Sequence, residues 1–202
     1  MMEIEIKKLS PALVEDYVNF FDETPHDDNV DENKCYCVCW CSADHRVDTD
    51  FSSRAKRRAL AVQYIQSGLM QGYLAYCGEQ VVGWCNANTK AECLHCTSWL
   101  RFMQSFSDAE LDNDRKIKSV FCFVISPAWR RKGVAKLLLQ RVCEDAAKEG
   151  FDCVEAYPKQ AFVSEERDFM GPKGLYEQAG FTVCRQAEDR LLVRKVLNDS
   201  VK

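Results

Sequence analysis

The chain has 202 residues, of which 47% are hydrophobic and 11% are aromatic, which is enough apolar material for one sizeable core. It carries 31 acidic and 27 basic residues for a formal net charge of -4, and this balance argues against nucleic-acid and membrane partners. No run of about 18 apolar residues occurs, and MMEIEIKKLS lacks the apolar centre of a signal peptide. We therefore expect a cytoplasmic protein.

The N-terminal half predicts a strand, two helices and a hairpin. EIEIKKL alternates apolar and charged residues as a half-buried strand does, and the serine and proline that follow predict a helix over ALVEDYVNFFDE. Ser52 or Ser53 is expected to cap the second helix, RAKRRALAVQYIQSGLMQ. GYLAYCGEQVVGWCNAN predicts an antiparallel hairpin that turns at its Gly-Glu pair. We expect the segment 90–116 to be a partly helical insertion.

Four of the 12 cysteines alternate in CYCVCWC, from Cys35 to Cys41. In a reducing compartment most cysteines are expected to be buried thiols rather than disulfides. Alternate side chains of an extended segment share one face. The stretch therefore predicts a short extended segment with thiols on one face and Tyr36, Val38 and Trp40 on the other.

The C-terminal half predicts a strand, a helix and further strands. IKSVFCFVIS has the continuous apolar character of a buried central strand. Apolar residues then recur at every fourth position from Val134 to Ala146, which indicates one buried helix face that Gly150 can end. FDCVEAY predicts the next strand, GLYEQAG a short helix, and FTVCRQ and RLLVRKV the last two strands. We expect one mixed α/β domain over residues 1–202.

The stretch SPAWRRKGVAKLL joins the central strand to the long helix. Pro127 ends the strand, and Gly133 lets the backbone turn so that the N–H groups of the first helical turn point out of the loop. Such a helix start binds anions, and Arg130, Arg131 and Lys132 add positive charge beside it. The motif therefore predicts a pyrophosphate site that differs from the common nucleotide-binding glycine loops.

Arg130-x-x-Gly133-x-Ala135, followed after the next helix and strand by LYEQAGF, resembles the GNAT superfamily of acyl-CoA-dependent N-acetyltransferases. The likeness is strongest over Ser119 to Phe181. It implies a mixed central sheet of about six to seven strands, antiparallel in its N-terminal half and flanked by helices. It also implies that acetyl-CoA is the cosubstrate. The residues that it assigns to acetyl-CoA, two through the pantetheine arm and six through the pyrophosphate, are Val124, Ile125, Arg130, Arg131, Lys132, Gly133, Val134 and Ala135.

The resemblance implies direct attack of a primary amine on the thioester within a ternary complex. Tyr176 of the second motif would protonate the departing thiolate as general acid, and the alternative is a tyrosine that only packs. Many relatives have a carboxylate near the start of the central strand, where this chain has Ser119. Glu155 on the following strand is our candidate for the base, and Asp168 before the last helix is a second candidate.

The acceptor is expected to be a primary amine of a small molecule or a peptide, and a homodimer is left open. In the family that this sequence resembles, the region after the first helix lines the acceptor site. Here that region contains Asp27, Asp28, Asp31 and Glu32, which either attract a cationic amine or form a solvated acidic loop. CYCVCWC falls in the same region, so we expect it to pack around the acceptor.

The alternative function is a cysteine-rich metal-binding or interaction protein on the same scaffold, without turnover. Its support is the thiols of CYCVCWC with His45 and the pair Cys93 and Cys96. Alternate residues of a strand lie about 6.6 Å apart, whereas zinc holds each sulfur at about 2.3 Å, so one ion cannot collect four thiols from a straight strand. Two of these thiols with Cys93 and Cys96 would form a tetrahedral set, but paired Cys-x-x-Cys knuckles are missing, and we expect no metal.

Overall fold

A computed structural model of the chain describes residues 3–25, 28–41, 49–106, 115–161, 163–164, 168–187 and 189–197. Its strands are β1 (Ile4–Lys8), β2 (Gly72–Cys77), β3 (Gln80–Thr89), β4 (Ile117–Ile125), β5 (Cys153–Ala156), β6 (Thr182–Ala187) and β7 (Arg190–Val196). Its helices are α1 (Val14–Glu23), α2 (Arg54–Gln66), α3 (Lys90–Cys93), α4 (Thr97–Phe102), α5 (Val134–Lys148) and α6 (Lys173–Gln178).

The described strands form one seven-stranded sheet in the order β1-β2-β3-β4-β5-β7-β6. Strands β1 to β4 are antiparallel to their neighbours, β4 and β5 are parallel, and β7 lies antiparallel to both β5 and β6. The helix α5 makes the crossover that a parallel pair requires. The predicted mixed sheet with an antiparallel N-terminal half is therefore confirmed.

Several predicted elements lie where their local signals placed them. The hairpin turns at Gly78, whose φ of +60° suits glycine. The Ser53 hydroxyl accepts a hydrogen bond from the N–H of Lys56 at the start of α2, as an N-cap does. The segment 90–116 contains α3, α4 and a short 3-10 turn in its described part. The serine before α1 makes no side-chain cap, and a 3-10 turn precedes that helix.

Helices cover both faces of the sheet and bury two apolar cores. On one face, α1, α2 and α4 pack over a cluster that includes Tyr17 and Trp84, whose ring centroids lie 4.8 Å apart. On the other face, α5 buries its predicted stripe, including Leu138 and Val142, against the sheet. Each such side chain contributes about 1.5–3 kcal/mol when buried. None of the helices in the described part of the chain is long and apolar enough to cross a bilayer.

The sheet opens between β4 and β5. The two strands pair only from Ile117 to Val120 of β4, although β4 continues to Ile125. Beyond that point the N–H of Phe123 donates instead to the carbonyl of Phe169, at 2.7 Å, in the segment that precedes α6. The outer half of β4 therefore borders an opening rather than a neighbouring strand.

The cysteine segment is a turn, so the prediction of an extended segment was wrong. Tyr36 and Cys37 have φ of 47° and 50°, and Val38–Trp40 form a 3-10 turn. Long-range contacts hold this shape: the hydroxyl of Tyr17 donates to the carbonyl of Tyr36 at 2.9 Å, and the Trp40 ring stacks on Phe121 at 4.6 Å. These contacts favour the left-handed turn over a strand that would need a hydrogen-bonded neighbour.

Candidate active site

A cavity of about 700 Å³ lies at the opening of the sheet. Its walls come from the outer half of β4, from the loop and first turn that begin α5, from the segment between 168 and 175, and from the segment between 21 and 40. One long pocket thus joins the predicted anion loop to the cysteine segment. A pocket of this size can hold an extended ligand with a second molecule at its end.

The loop before α5 has the geometry of an anion site. Gly133 adopts φ of +84° and precedes the first residue of α5 without a side-chain cap, so the first N–H groups of the helix have no partner within it. Arg131 also lies in the left-handed region, at φ of 63°, which is uncommon for a side chain with a Cβ. The predicted loop therefore combines free N–H donors, a glycine turn and adjacent cationic side chains.

Seven of the eight residues predicted for acetyl-CoA line this cavity, namely Val124, Ile125, Arg130, Arg131, Gly133, Val134 and Ala135. Lys132 is not among the lining residues, and its Nζ lies 5.0 Å from the centre of the Trp129 ring. Trp129 and Lys136 line the cavity but were not predicted. Their only sequence signal was their position in the same loop and helical turn.

The backbone of β4 that faces the opening belongs to Phe123 and Ile125. Backbone groups of alternate strand residues point to opposite edges, and the N–H of Ser126 donates to a carbonyl of β3 at 3.0 Å. The carbonyl of Ile125 accepts a hydrogen bond from the Arg130 side chain at 3.2 Å. Val124 therefore directs its backbone to β3 rather than to the opening, which contradicts the predicted contact of its backbone with the pantetheine arm.

Tyr176 is fully buried beside the cavity rather than on its wall. Its hydroxyl donates to the carbonyl of Met170, and its ring packs edge-on against Phe181 at 5.3 Å. Burial raises the pKa of Tyr176 well above its ordinary value, so the phenol holds its proton. Its neighbour Leu175 does line the cavity, so the tyrosine lies one residue behind the wall.

Glu155 lies outside the cavity in a buried ion-pair network. Its carboxylate accepts hydrogen bonds from Lys90 at 2.9 Å, from Arg194 Nε at 2.8 Å and from the Tyr157 hydroxyl at 3.1 Å. Its oxygens are therefore bonded to side chains that do not line the cavity. The prediction of Glu155 as the base thus has no support in this geometry, which is that of a structural ion pair.

Asp168 does lie on the cavity wall, and it is 6% exposed. Its Oδ2 accepts a hydrogen bond from the N–H of Val163 at 2.7 Å. Its Oδ1 is buried without a hydrogen-bond partner in the described part of the chain. Of the two candidates for the base, the structure brings this one to the cavity.

Thiols form part of the cavity wall. Cys35, Cys37 and Cys39 line the cavity together with Cys122 of β4. The hydrogen bond with the Cys122 thiol raises the pKa of Cys37 well above its ordinary value, and burial raises the pKa of Cys39 to about 11. Cys37 and Cys39 therefore hold their protons near neutral pH, and a protonated thiol is a poor nucleophile.

The acidic segment after α1 is bonded within the protein. Both oxygens of Asp28 accept hydrogen bonds, from the N–H of Val30 at 2.9 Å and from Asn33 at 2.7 Å. Asp31 forms ion pairs with Lys34 and Arg54. The carboxylates of Asp28 and Asp31 therefore hold the segment together rather than present free charge to a ligand. The predicted Asp27 and His45 lie outside the described residues.

The thiols do not assemble a metal centre in the described ranges, where no three His, Cys, Asp or Glu side chains are arranged to hold an ion. Cys96 instead caps α4, since its sulfur accepts the N–H of Trp99 at 3.4 Å. Cys93 is buried as well. The zinc set that combined these two thiols with the cysteine segment is not formed.

Comparisons with known structures agree with this fold. The acetyltransferase yncA of Salmonella typhimurium, determined with acetyl-CoA, has 15% identity and a TM-score of 0.52 over 98% of this chain and 96% of its own. The PaiA N-acetyltransferase of Thermoplasma acidophilum, in complex with coenzyme A, has 15% identity and a TM-score of 0.53 over 96% and 99%. The mosquito protein described as arylalkylamine N-acetyltransferase like 5b has a TM-score of 0.61 and 12% identity, and the match covers 96% of this chain and 100% of that protein.

Structural similarity at such low sequence identity shows only that the fold is shared. No curated protein sequence matches the chain. The family model described as an acetyltransferase (GNAT) domain matches residues 70–183, which is more than half of the chain and includes the hairpin, β4, the anion loop and α6. The chain therefore belongs to the GNAT acetyltransferase family.

Proposed function

We propose that the protein transfers the acetyl group of acetyl-CoA to a primary amine of a small molecule or peptide, by direct attack within a ternary complex. The observation that carries this proposal is the continuity of one cavity from the anion loop, along the open edge of β4, to a wall of thiols and aromatic rings. Such a cavity offers two substrates adjoining places.

The residues present fit acetyl-CoA as the first substrate. The N–H groups at the start of α5 suit a pyrophosphate, and Arg130 and Arg131 supply positive charge. The backbone of Ile125 lies on the open edge of β4, where the amides of a pantetheine arm can pair with it. The thioester would then lie near Phe123, farther along the strand from the loop.

Thiol chemistry within the protein is disfavoured in this cavity. An acyl-cysteine intermediate needs a thiolate, and the wall thiols are held protonated by burial and by hydrogen bonds with each other. Direct attack by the amine avoids this requirement. All 12 cysteines are free thiols, which supports a reducing compartment, and we place the protein in the cytoplasm.

We further propose Tyr176 as the general acid for the departing thiolate. Its support is its place in the second motif and its position directly behind Leu175 on the wall. Its raised pKa keeps the proton available at neutral pH. Donation to a sulfur requires the hydroxyl to give up its hydrogen bond to Met170.

The first experiment measures acetyl-CoA binding by calorimetry and CoA release with a panel of primary amines. We expect binding, turnover of at least one amine, and about tenfold weaker binding in Arg131→Gln, because a charge-assisted contact is removed. Lys148→Gln, at the far end of α5, is the matched control and should bind normally. Stoichiometric zinc without acetyl-CoA binding would instead favour the metal-binding alternative.

A further inference from the structure

We propose that Asp168 receives the acceptor amine and takes its proton, and that the acceptor carries one positive charge on an apolar body. The inference rests on the proposed function, since it assigns the second substrate of the same reaction. It concerns a residue outside both motifs that identify the family.

The carboxylate of Asp168 is built into the wall with one oxygen unsatisfied. The N–H of Asp168 donates to the carbonyl of Ser164 at 2.9 Å, and its own carbonyl accepts from Gly171 at 2.7 Å, so its backbone is fixed. Val163 occupies Oδ2, whereas Oδ1 is buried without a partner in the ranges described. Burying a carboxylate oxygen unpaired is unfavourable, and an ammonium group would relieve it.

Its position along β4 matches the place where a thioester would end. Asp168 immediately precedes Phe169, whose carbonyl accepts the N–H of Phe123. An acyl-CoA with its pyrophosphate at Gly133 and its arm beside Ile125 extends toward Phe123. The carboxylate therefore lies next to the acetyl carbon rather than beside the nucleotide.

Competing charges at this end of the cavity are already paired. The other lining carboxylate among the described residues, Asp28, accepts hydrogen bonds at both oxygens. Lys34 is the cation that lines the cavity between residues 21 and 40. Its Nζ bonds to Asp31 at 2.6 Å and to the carbonyl of Asp22. Among the described residues, Asp168 is thus the one carboxylate at this end of the cavity with an oxygen that lacks a hydrogen-bond partner.

Apart from Thr24, Ser98 and the paired Asp28 and Lys34, the rest of the acceptor end is apolar. Its wall contains Phe21, Trp40 and the thiols of Cys35, Cys37 and Cys39, which the raised pKa values keep neutral. A second or third ammonium group would be buried there without a counter-charge, which is strongly unfavourable. We therefore infer an aralkyl or alkyl monoamine rather than a polyamine or an aminoglycoside.

The step balances in protons and bonds. The ammonium gives one proton to Asp168, and the freed nitrogen lone pair forms a bond to the acetyl carbon. The carbon–sulfur bond breaks, and its electron pair leaves on sulfur. The thiolate gains a proton from the general acid, and the second proton lost by nitrogen restores that acid. Asp168 returns its own proton to water, so one proton is released for each acetyl group transferred.

The test uses the full chain with saturating acetyl-CoA, phenethylamine and hexylamine as probes, and spermidine as the polycation. Asp168→Asn keeps an oxygen for the N–H of Val163 but cannot take a proton. We expect its kcat/KM to fall about 100-fold at pH 7. The loss should shrink toward pH 10, because the free amine then needs no base. Asp168→Glu should recover part of the rate.

Asp152→Asn is the matched control, since that carboxylate also accepts a backbone N–H, from Lys116 at 2.7 Å, but lies outside the cavity. It should change kcat/KM less than twofold. The proposal is overturned by unchanged kcat/KM in Asp168→Asn, by an equal loss at every pH, or by a preference for spermidine. It also fails if acetyl-CoA binds but neither monoamine binds or reacts. Absent acetyl-CoA binding would instead sink the proposed function itself.

Discussion

At the scale of single residues, Tyr176 shows how one hydroxyl can serve both fold and chemistry. The Tyr176 hydroxyl donates a hydrogen bond to the carbonyl of Met170, a residue that is only 1% exposed. The same bond anchors the turn that carries Gly171 and Pro172 to the cavity wall. Removing the hydroxyl should therefore affect stability and rate separately.

For Tyr176→Phe we expect kcat to fall about 100-fold through loss of the acid. The free energy of unfolding should drop by about 1–3 kcal/mol, because the Met170 carbonyl loses its partner. Steady-state kinetics and urea denaturation measure the two effects. Tyr17→Phe is the control, since it also deletes a buried hydroxyl-to-carbonyl bond, at 2.9 Å. An unchanged kcat with the stability loss alone would make Tyr176 purely structural.

At the scale of elements, local sequence signals predicted those helices, strands and turns whose structure depends on residues close together in the chain. The hairpin, β4 and α5 follow from runs of apolar residues and from glycines at turns, all within a few positions. The anion loop was predicted for the same reason. The cysteine segment was not, because its shape depends on partners such as Tyr17 and Phe121, which lie far away in the chain. The ion pairs of Glu155 could not be predicted either, because Lys90 and Arg194 lie 65 and 39 positions away in the chain.

Replacing Cys37 and Cys39 with serine tests the role of the turn that they form. We expect the KM for the acceptor to rise roughly fivefold, since hydroxyl groups make an apolar wall more polar. The Kd for acetyl-CoA should stay unchanged, because the anion loop lies at the other end of the cavity. Cys143→Ser, on the buried face of α5, is the control for burying a hydroxyl. Loss of acetyl-CoA binding in the double variant would contradict this division of the cavity.

At the scale of the whole molecule, the central strand carries a buried positive charge that limits stability. Lys118 is 2% exposed, and its Nζ bonds to Gln71 at 2.8 Å and lies 4.8 Å from the centre of the Phe151 ring. Burial lowers the pKa of Lys118 to about 8, below the value of about 10.4 expected in the unfolded chain. The folded state therefore bears the full cost of the charge below pH 8.

Between about pH 8 and pH 10.4 only the unfolded chain holds the proton on Lys118, so the free energy of unfolding should rise with pH. Relative to Lys118→Met, the wild type should gain about 3 kcal/mol across this window. Denaturation by urea at pH 7 and pH 10.4 measures the difference. Lys148→Met, which replaces an exposed lysine, is the control for changes in the free energy of unfolding that high pH causes throughout the protein. A difference that does not change with pH would refute the expectation.

The hydrogen bond between Phe123 and Phe169 joins main-chain atoms only. Substitutions that leave the backbone in place do not remove it, so this bond does not depend on which side chain stands at either position. Proline at 123 would break it, because proline has no N–H. The contact between the segment before α6 and the central strand is therefore set by the backbone, and the identity of neither residue reveals it.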